Sequence, residues 1–181
     1  MNRNFVAAAF LILAQLPALA ISSAEPTAAF PAASAAFTRA VAGDGNATDQ
    51  ALKAFEALAA AAGPEAPLYQ AYMGAAQTLQ GRDAWMPWTK MKATERGLDT
   101  IDKALRRLEP QHDKALVNGI PVSLETRLVA ATSFVAVPDM MFHRADSGRQ
   151  LLQDMMKSPL YAQAPAGFRQ QVEALAAKAR K

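Results

Sequence analysis

The segment over residues 82–92 holds the residue types that most readily support binding chemistry. Both tryptophans of the chain, Trp85 and Trp88, lie in it beside three basic residues and one acid. A tryptophan ring next to a lysine or arginine allows cation–π packing, and an adjacent arginine and aspartate can form an ion pair between neighbouring helices. The segment therefore predicts a surface that contacts a partner. Its candidate residues are Arg82, Asp83, Trp85, Trp88, Lys90 and Lys92.

The tryptophans allow two interpretations. In the first, both fill the space between two helices, and Arg82 caps the carbonyls at a helix end. In the second, they line a groove for a peptide, an acyl chain or a small anionic ligand. Helical spacing places Trp88 on an inward stripe, whereas Trp85 precedes that helix. We therefore expect Trp88 to be buried and Trp85 to line a groove.

A polar position interrupts the inward stripe of the same helix, at Thr94 or Glu95. A buried polar group needs a hydrogen-bonding partner. Arg127 and Arg144, on later helices, are the cations best placed to supply one if the helices stack in sequence order. We therefore predict a structural ion pair that joins Glu95 to Arg127, with exposure of both residues as the alternative.

The candidate ligands for a soft metal ion are histidine and methionine. The two histidines, His112 and His143, are too few for a multi-histidine site. Met140, Met141 and His143 combine thioether and imidazole groups, which suit cuprous copper, and Met140 and His143 are three residues apart. Methionine also fills irregular gaps in helical cores. We therefore expect no metal or other cofactor, and a periplasmic copper or small-ligand carrier is the alternative function.

Signatures of enzymatic function are missing from the sequence. No serine lies in a nucleophile elbow, no glycine-rich loop is suited to hold phosphate, and no two-histidine zinc motif is present. The chain has no cysteine, which excludes thiol redox chemistry and disulfides. Its net charge is +3 at pH 7 without a basic block, so nothing indicates binding of nucleic acid. We expect a protein without catalytic activity.

The N-terminal residues 1–20 have the pattern of a secretory signal peptide. A basic residue near the start is followed by an apolar run over 5–16 and a small-x-small cleavage site over 18–20. The run is shorter than the roughly 20 apolar residues that span a bilayer. We therefore predict a periplasmic or secreted protein without a stable membrane anchor, whose mature chain begins at Ile21 or, as the alternative, at Glu25.

The elements that position the candidate residues are expected to be helices, because alanine and leucine are abundant and runs of β-branched residues are scarce. The pattern predicts an all-α protein with about six to seven helices after the signal peptide, in a single domain over residues 21–181. The predicted helices cover about 32–42, 49–62, 65–80, 87–108, 121–137, 139–156 and 165 onward, with a loop over 111–120. Thr48 is the expected cap of the second helix, and Gly81 the expected end of the third.

Two stretches of the chain resemble tetratricopeptide repeats. In residues 69–110 the matching positions lie in a first helix and at the end of a second, and are occupied by Tyr72, Gly74, Ala75, Ala104 and Pro110. Residues 110–159 resemble a second, more divergent copy. The resemblance implies stacked antiparallel helical hairpins over about 51–159, with a concave surface that binds a protein or peptide.

The segment over residues 82–92 also resembles a stretch in an uncharacterised group of exported bacterial helical-hairpin proteins. In that group an Arg-Asp pair precedes Pro-Trp and Lys-Met-Lys, as it does here. This second resemblance implies a shared fold and no particular activity. Together with the missing enzyme signatures, it favours an exported helical-repeat protein that presents a groove to a protein or peptide partner.

Overall fold

Helices dominate the computed structural model, which describes residues 26–61 and 63–180. They account for 81% of the described residues, against 3% in strands, which confirms the prediction of an all-α protein. The helices are α1 Pro26–Val41, α2 Gly45–Ala60, α3 Ala66–Asp83, α4 Pro87–Arg106, α5 Val122–Ala136, α6 Asp139–Phe142, α7 Ala145–Lys157, α8 Pro159–Gln163 and α9 Ala166–Ala179. A 3₁₀ turn at Pro110–Asp113 and a two-stranded antiparallel ribbon, β1 Leu116–Val117 and β2 Ile120–Pro121, lie between α4 and α5. The predicted signal peptide lies outside the described residues.

Helices α1 to α4 pack in sequence order, each against the next, because each has an apolar stripe that must leave water. The stripe of α2 is buried as predicted, at Leu52, Phe55 and Leu58. Tyr72 of α3 stacks on Phe55, with ring centroids 4.8 Å apart and planes 8° from parallel. Phe30 and Phe37 of α1 meet these two rings edge-on, so aromatic side chains join three helices.

Two predictions about helix ends are wrong. Asp44 rather than Thr48 caps α2, because the Asp44 carboxylate accepts hydrogen bonds from two backbone N–H groups of the first turn. A capping side chain precedes its helix, and Thr48 lies inside the first turn. Gly81 does not end α3, which continues to Asp83.

Helices α3 and α4 approach until their backbones touch. A Cβ atom on Gly97 would lie 2.6 Å from the carbonyl oxygen of Gly74 and 2.7 Å from the backbone nitrogen of Thr78. A Cβ atom on Gly81 would lie 2.2 Å from the hydroxyl oxygen of Thr94. Later residues of α3 therefore meet earlier residues of α4, and the two helices are antiparallel. Gly81 permits this close approach, which explains a glycine inside the helix rather than at its end.

Helix α5 lies at the centre of the fold and has buried residues on several sides. Its Val129 joins a cluster with α1 to α3, its Leu124 and Leu128 join a second cluster with α7 to α9, and its Phe134 joins a third with α4. A helix buried on so many sides needs no broad polar stripe, which explains its run of small and apolar residues. Among the described residues, apolar side chains thus form three clusters that meet at α5.

The described residues form nine α-helices rather than the predicted six to seven, because the C-terminal half of the chain is more interrupted than the sequence predicts and residues 159–163 form the unpredicted α8. The helix predicted over 139–156 is divided into α6 and α7, because His143 adopts a left-handed conformation with φ 52° and ψ 47°. The predicted loop over 111–120 contains the ribbon of β1 and β2, whose connecting residues Asn118 and Gly119 both have positive φ, as a tight hairpin turn requires. Across the described ranges, no helix has both the length and the apolar character needed to cross a membrane.

Candidate functional site

Arg82 and Asp83, at the end of α3, form an ion pair that joins three helices. The guanidinium donates to both carboxylate oxygens of Asp83, over 2.7 and 3.0 Å. It also donates to the backbone carbonyl of Ala40 in α1, over 2.8 Å. The hydroxyl of Thr48 in α2 donates to the Asp83 carboxylate over 2.8 Å. The adjacent residues form the ion pair that their types predicted, but this pair fastens α3 to α1 and α2 rather than to α4.

The protonation state of Asp83 follows from these contacts. The hydrogen bond from Arg82 lowers the pKa of Asp83 below its ordinary value, and the bond from Thr48 acts in the same direction, against partial burial, which raises it. Asp83 is therefore ionised at neutral pH.

Lys90 supplies the link to α4, because its Nζ donates to the backbone carbonyl of Arg82 over 2.9 Å. Three of the predicted contact residues thus hold helices together.

The two tryptophans are both exposed. Trp85 lies in the turn between α3 and α4 with 91% of its surface exposed, and Trp88 lies in the first turn of α4 with 65% exposed. The prediction that Trp88 is buried is therefore wrong, as is the interpretation that both rings fill the space between helices. Gly81 lies opposite Lys90, and α3 ends two residues later, so the first turn of α4 extends beyond its neighbour. Lys92, the remaining predicted contact residue, is also exposed.

An apolar cleft of about 480 Å³ opens next to the first turns of α4. It lies between α3, the start of α4 and the segment that runs from the end of α5 to α6. Its apolar lining includes Leu79, Pro87, Met91, Val137, Met141 and Phe142. Two cations, Arg82 and Lys90, also line the cleft; Asp83 neutralises Arg82, whereas none of the ion pairs of the described residues includes Lys90. The cleft therefore favours an apolar occupant that carries negative charge at this wall.

Exposed apolar side chains are concentrated around this cleft. Nine large apolar side chains are exposed in the described part of the chain, and six of them belong to the two short segments that flank the cleft. These six, which we name the Trp–Met patch, are Trp85, Met86, Trp88, Met91, Met140 and Met141. Of the six, Met91 and Met141 line the cleft and neither tryptophan does, so the expectation that Trp85 lines a groove is not met at this cleft. Contiguous exposed apolar patches on a folded protein commonly mark binding surfaces, whereas isolated apolar residues do not.

The candidate copper ligands do not have the geometry that their spacing suggested. Met140 and Met141 belong to α6, but the helix ends at Phe142, and His143 leaves it in the left-handed conformation. The interpretation that Met140 and His143 share one helix face is therefore wrong. Met141 lines the cleft, and Met140 is 91% exposed. Within residues 26–61 and 63–180, no group of three or more histidine, aspartate or glutamate side chains is placed to hold a metal ion.

The predicted pair of Glu95 and Arg127 does not form. Glu95 is exposed, because Thr94 takes the inward position on α4, and Arg127 donates to the backbone carbonyl of Ser123 in its own helix. Arg144, the alternative cation, instead forms an ion pair with Asp102. The guanidinium of Arg144 also lies 4.5 Å above the ring centre of Phe134, a cation–π contact. This ion pair joins α4 to the start of α7.

A half-buried polar pair, which no sequence pattern predicted, joins α3 to α5. The hydroxyl of Tyr72 donates to Oε1 of Glu125 over 2.9 Å. Burial raises the pKa of Glu125 above its ordinary value, although the hydrogen bond from Tyr72 opposes this shift. Burial and the neighbouring carboxylate likewise raise the pKa of Tyr72. The sequence did contain a signal, because Glu125 is the only acid in a helix of mostly apolar and small residues.

Comparison of the chain with protein families, with curated proteins and with solved structures finds no match. No residue role is therefore carried over from a relative. The function has to be derived from the cleft, the Trp–Met patch and the Tyr72–Glu125 pair themselves.

Proposed function

We propose that this protein is an exported, non-catalytic helical-hairpin protein that binds a protein or peptide partner through the Trp–Met patch and the cleft beside it. The observation that carries the proposal is the concentration of exposed tryptophan and methionine on the two segments, 85–91 and 140–141, that flank one apolar cleft. Tryptophan is enriched among the residues that dominate binding energies at protein interfaces. Methionine is flexible and polarisable, and it adapts to varied apolar partners.

The chemistry of the cleft indicates the kind of segment that it binds. Its lining is apolar over most of its surface and carries Lys90, which is in none of the ion pairs of the described residues, beside Arg82, which Asp83 neutralises. A partner that presents apolar side chains at helical spacing, with an acidic residue beside them, satisfies both features. Lys92, exposed on α4, extends the basic character beyond the cleft. We therefore propose an amphipathic, acidic helix of a partner protein as the occupant.

Two further parts of the proposal, the stacking of helical hairpins and the absence of catalysis, rest on features outside the Trp–Met patch. The tetratricopeptide-like stacking of hairpins is supported by the sequential packing of α1 to α4 and by the antiparallel contact of α3 with α4. The absence of catalysis is supported by the environment of His112, which is buried and whose Nδ1 accepts the backbone N–H of Glu109 over 2.8 Å. A histidine whose Nδ1 is occupied in this way closes a 3₁₀ turn and is poorly placed to act as a base.

The test is capture followed by reconstitution. The purified protein captures partners from the exported fraction of its host, mass spectrometry identifies them, and the affinity of a purified partner is then measured for each variant. We expect Trp85→Ala and Trp88→Ala to weaken binding by at least about thirtyfold, the usual effect of losing an interface tryptophan. Leu116→Ala, which removes an exposed apolar side chain of β1 outside the patch, is the matched control and retains full affinity.

Thermal unfolding of the same variants separates binding from folding. Because both rings are largely exposed, their removal changes the free energy of unfolding by no more than about 0.5 kcal/mol. Equal affinity of the wild type and both tryptophan variants for the reconstituted partner would exclude the patch as its binding surface.

A further inference from the structure

A second cavity, of about 250 Å³, lies between α1, α3, α5 and α9. Exposed residues at its edge, Val41, Thr132 and Gln171, give it an opening to solvent. Its volume is slightly below the roughly 300 to 1,000 Å³ of typical ligand sites, so it suits a small molecule rather than a peptide. It shares Thr78, Leu79 and Ala136 with the cleft beside the Trp–Met patch, but neither tryptophan lines it.

The cavity contains a carboxylate without a cation. Glu125 lines it and accepts a hydrogen bond from Tyr72 through Oε1, while no lysine, arginine or histidine is among the lining residues. None of the ion pairs in the described ranges includes Glu125. A carboxylate removed from water without an opposite charge is costly, and burial accordingly raises its pKa. A cationic ligand would supply the missing charge.

Apart from the amide of Gln171 at the edge, which can donate or accept, the polar side chains of the cavity other than Glu125 are hydroxyl groups that are left to accept hydrogen bonds. The hydroxyls of Thr78, Thr132 and Ser133 each donate their single proton to a backbone carbonyl three or four residues earlier, over 2.7, 2.8 and 2.9 Å. The hydroxyl of Tyr72 uses its single proton in the hydrogen bond to Glu125. These four hydroxyl groups therefore have only lone pairs left to offer. A ligand that carries several N–H donors matches such a lining, and an anionic ligand does not.

Aromatic rings form one wall of the same cavity. Phe37 and Tyr72 both line it and meet edge to face, with ring centroids 5.2 Å apart and planes at 82°. The stacking of Tyr72 on Phe55 fixes the Tyr72 ring in place. Aromatic faces attract cations, and the attraction increases where water is excluded.

From these contacts we propose that the cavity beside Glu125 binds a small organic ammonium ion, with the carboxylate as its counter-ion and Phe37 and Tyr72 as its aromatic wall. The ammonium group donates to Glu125 and to the hydroxyl oxygens, and the hydrocarbon part packs on the two rings. The site is independent of the partner-binding surface proposed above, because it requires neither the tryptophans nor the methionines of the Trp–Met patch.

The experiment measures binding of phenethylammonium chloride to the purified protein by isothermal titration calorimetry, with 2-phenylethanol as the uncharged analogue of nearly the same shape. We expect saturable binding of phenethylammonium and at least about tenfold weaker binding of the alcohol, since the alcohol cannot form a charge-assisted hydrogen bond with Glu125. Glu125→Gln keeps the shape of the side chain and an acceptor for Tyr72, and we expect it to weaken phenethylammonium binding by at least the same factor. Glu95→Gln makes the same change of charge at an exposed site on α4 and leaves binding unchanged.

Thr132→Lys provides a second variant that does not alter Glu125. The new side chain starts at the edge of the cavity, and its ammonium group competes for the carboxylate, so we expect it to abolish phenethylammonium binding while circular dichroism stays helical. The proposal is wrong if the wild type shows no saturable binding, if 2-phenylethanol binds equally well, or if both Glu125→Gln and Thr132→Lys bind phenethylammonium as the wild type does.

Discussion

Asp83, the last residue of α3, takes part in an ion pair that links three helices. Its carboxylate receives hydrogen bonds from Arg82 of its own helix and from Thr48 of α2, and the same arginine holds the end of α1. We expect Asp83→Asn to lower the free energy of unfolding by roughly 1 to 3 kcal/mol, the usual contribution of charge-assisted hydrogen bonds. Urea denaturation at neutral pH measures the change. Asp99→Asn, at an exposed position of α4, is the control and has little effect.

The same contacts give Asp83 a defined dependence on pH. Because its folded-state pKa is lowered, its contribution to stability is fully present above the ordinary value of 3.8 and is lost as the pH falls through the lower folded-state value. The stability difference between the wild type and Asp83→Asn therefore shrinks in acid. A difference that stays constant down to the acid-unfolding range would contradict the assignment.

Glu125 has the opposite dependence on pH. Burial raises its folded-state pKa above the ordinary 4.5, so between these values the folded protein binds more protons than the unfolded chain. Stability therefore decreases as the pH rises from about 4.5 through the folded-state pKa. We expect Glu125→Gln to remove this component, so that the variant gains stability relative to the wild type as the pH rises. Denaturation of both proteins over a pH series measures the difference, and parallel curves would contradict the prediction.

At the residue scale, the sequence predicted contacts between adjacent residues better than it predicted which residues are buried. Arg82 and Asp83 are adjacent, so their ion pair could be anticipated. Trp88 was assigned to the core because periodicity identifies a helix face but does not show where the neighbouring helix ends. Glu125 was missed because its partner, Tyr72, lies 53 residues earlier in the sequence.

At the scale of elements, the packing of α3 against α4 depends on glycine at the positions where the two backbones touch. A methyl group at Gly97 would meet the backbone of α3 at 2.6 to 2.7 Å, and neither backbone can yield without separating the helices. We expect Gly97→Ala to lower the free energy of unfolding by about 1 to 3 kcal/mol or more, the cost of overpacking. Gly167→Ala in α9 is the matched control: a Cβ atom there meets nothing within 4 Å, so the change raises stability by about 0.4 to 1 kcal/mol. Equal effects of the two substitutions, measured by urea denaturation, would show that the crossing is not tightly packed.

The sequence predicted the existence of most helices but not their interruptions. The spacing of Leu52, Phe55 and Leu58 identified the buried face of α2 correctly. The break at His143 had no such signal. Glycine most often occupies the left-handed conformation, whereas here a histidine adopts it. Gly81 gave the wrong signal, since glycine is common both at helix ends and where two helix backbones meet.

For the whole molecule, composition was sufficient to predict an all-α protein, but not the three apolar clusters that the described residues form. These clusters meet at α5 and join residues far apart in sequence, such as Leu124 and Phe168. Periodicity within a helix identifies its apolar face, but it does not show which other helix packs against that face. The position of the cleft, which depends on α3, α4 and α6 together, could not be predicted for the same reason.

Export is the prediction that concerns the entire chain. Expressed in a Gram-negative host, the protein is expected to be released by osmotic shock with an N-terminus at Ile21 or Glu25, because residues 1–20 have the pattern of a cleavable leader. Both positions precede Pro26, where α1 begins, so cleavage leaves the described helices intact. N-terminal sequencing of the released protein measures this. Retention of Met1 in a membrane fraction would contradict it.

The two sides of the cleft differ in how firmly they are held, and this difference has a dynamic consequence. On one side, α3 and α4 are held together by direct contact of their backbones. On the other, α6 is a single turn between Pro138 and the left-handed His143, and none of its residues is buried. Short, exposed elements open at low free energy. We therefore expect hydrogen exchange to be fast at the amides of α6 and slow at those of α3 around Gly74, and equal rates would contradict this. One side of the cleft then keeps a fixed shape while the other adjusts, so that displacement of a single helical turn would let the proposed binding site accept partners of different thickness.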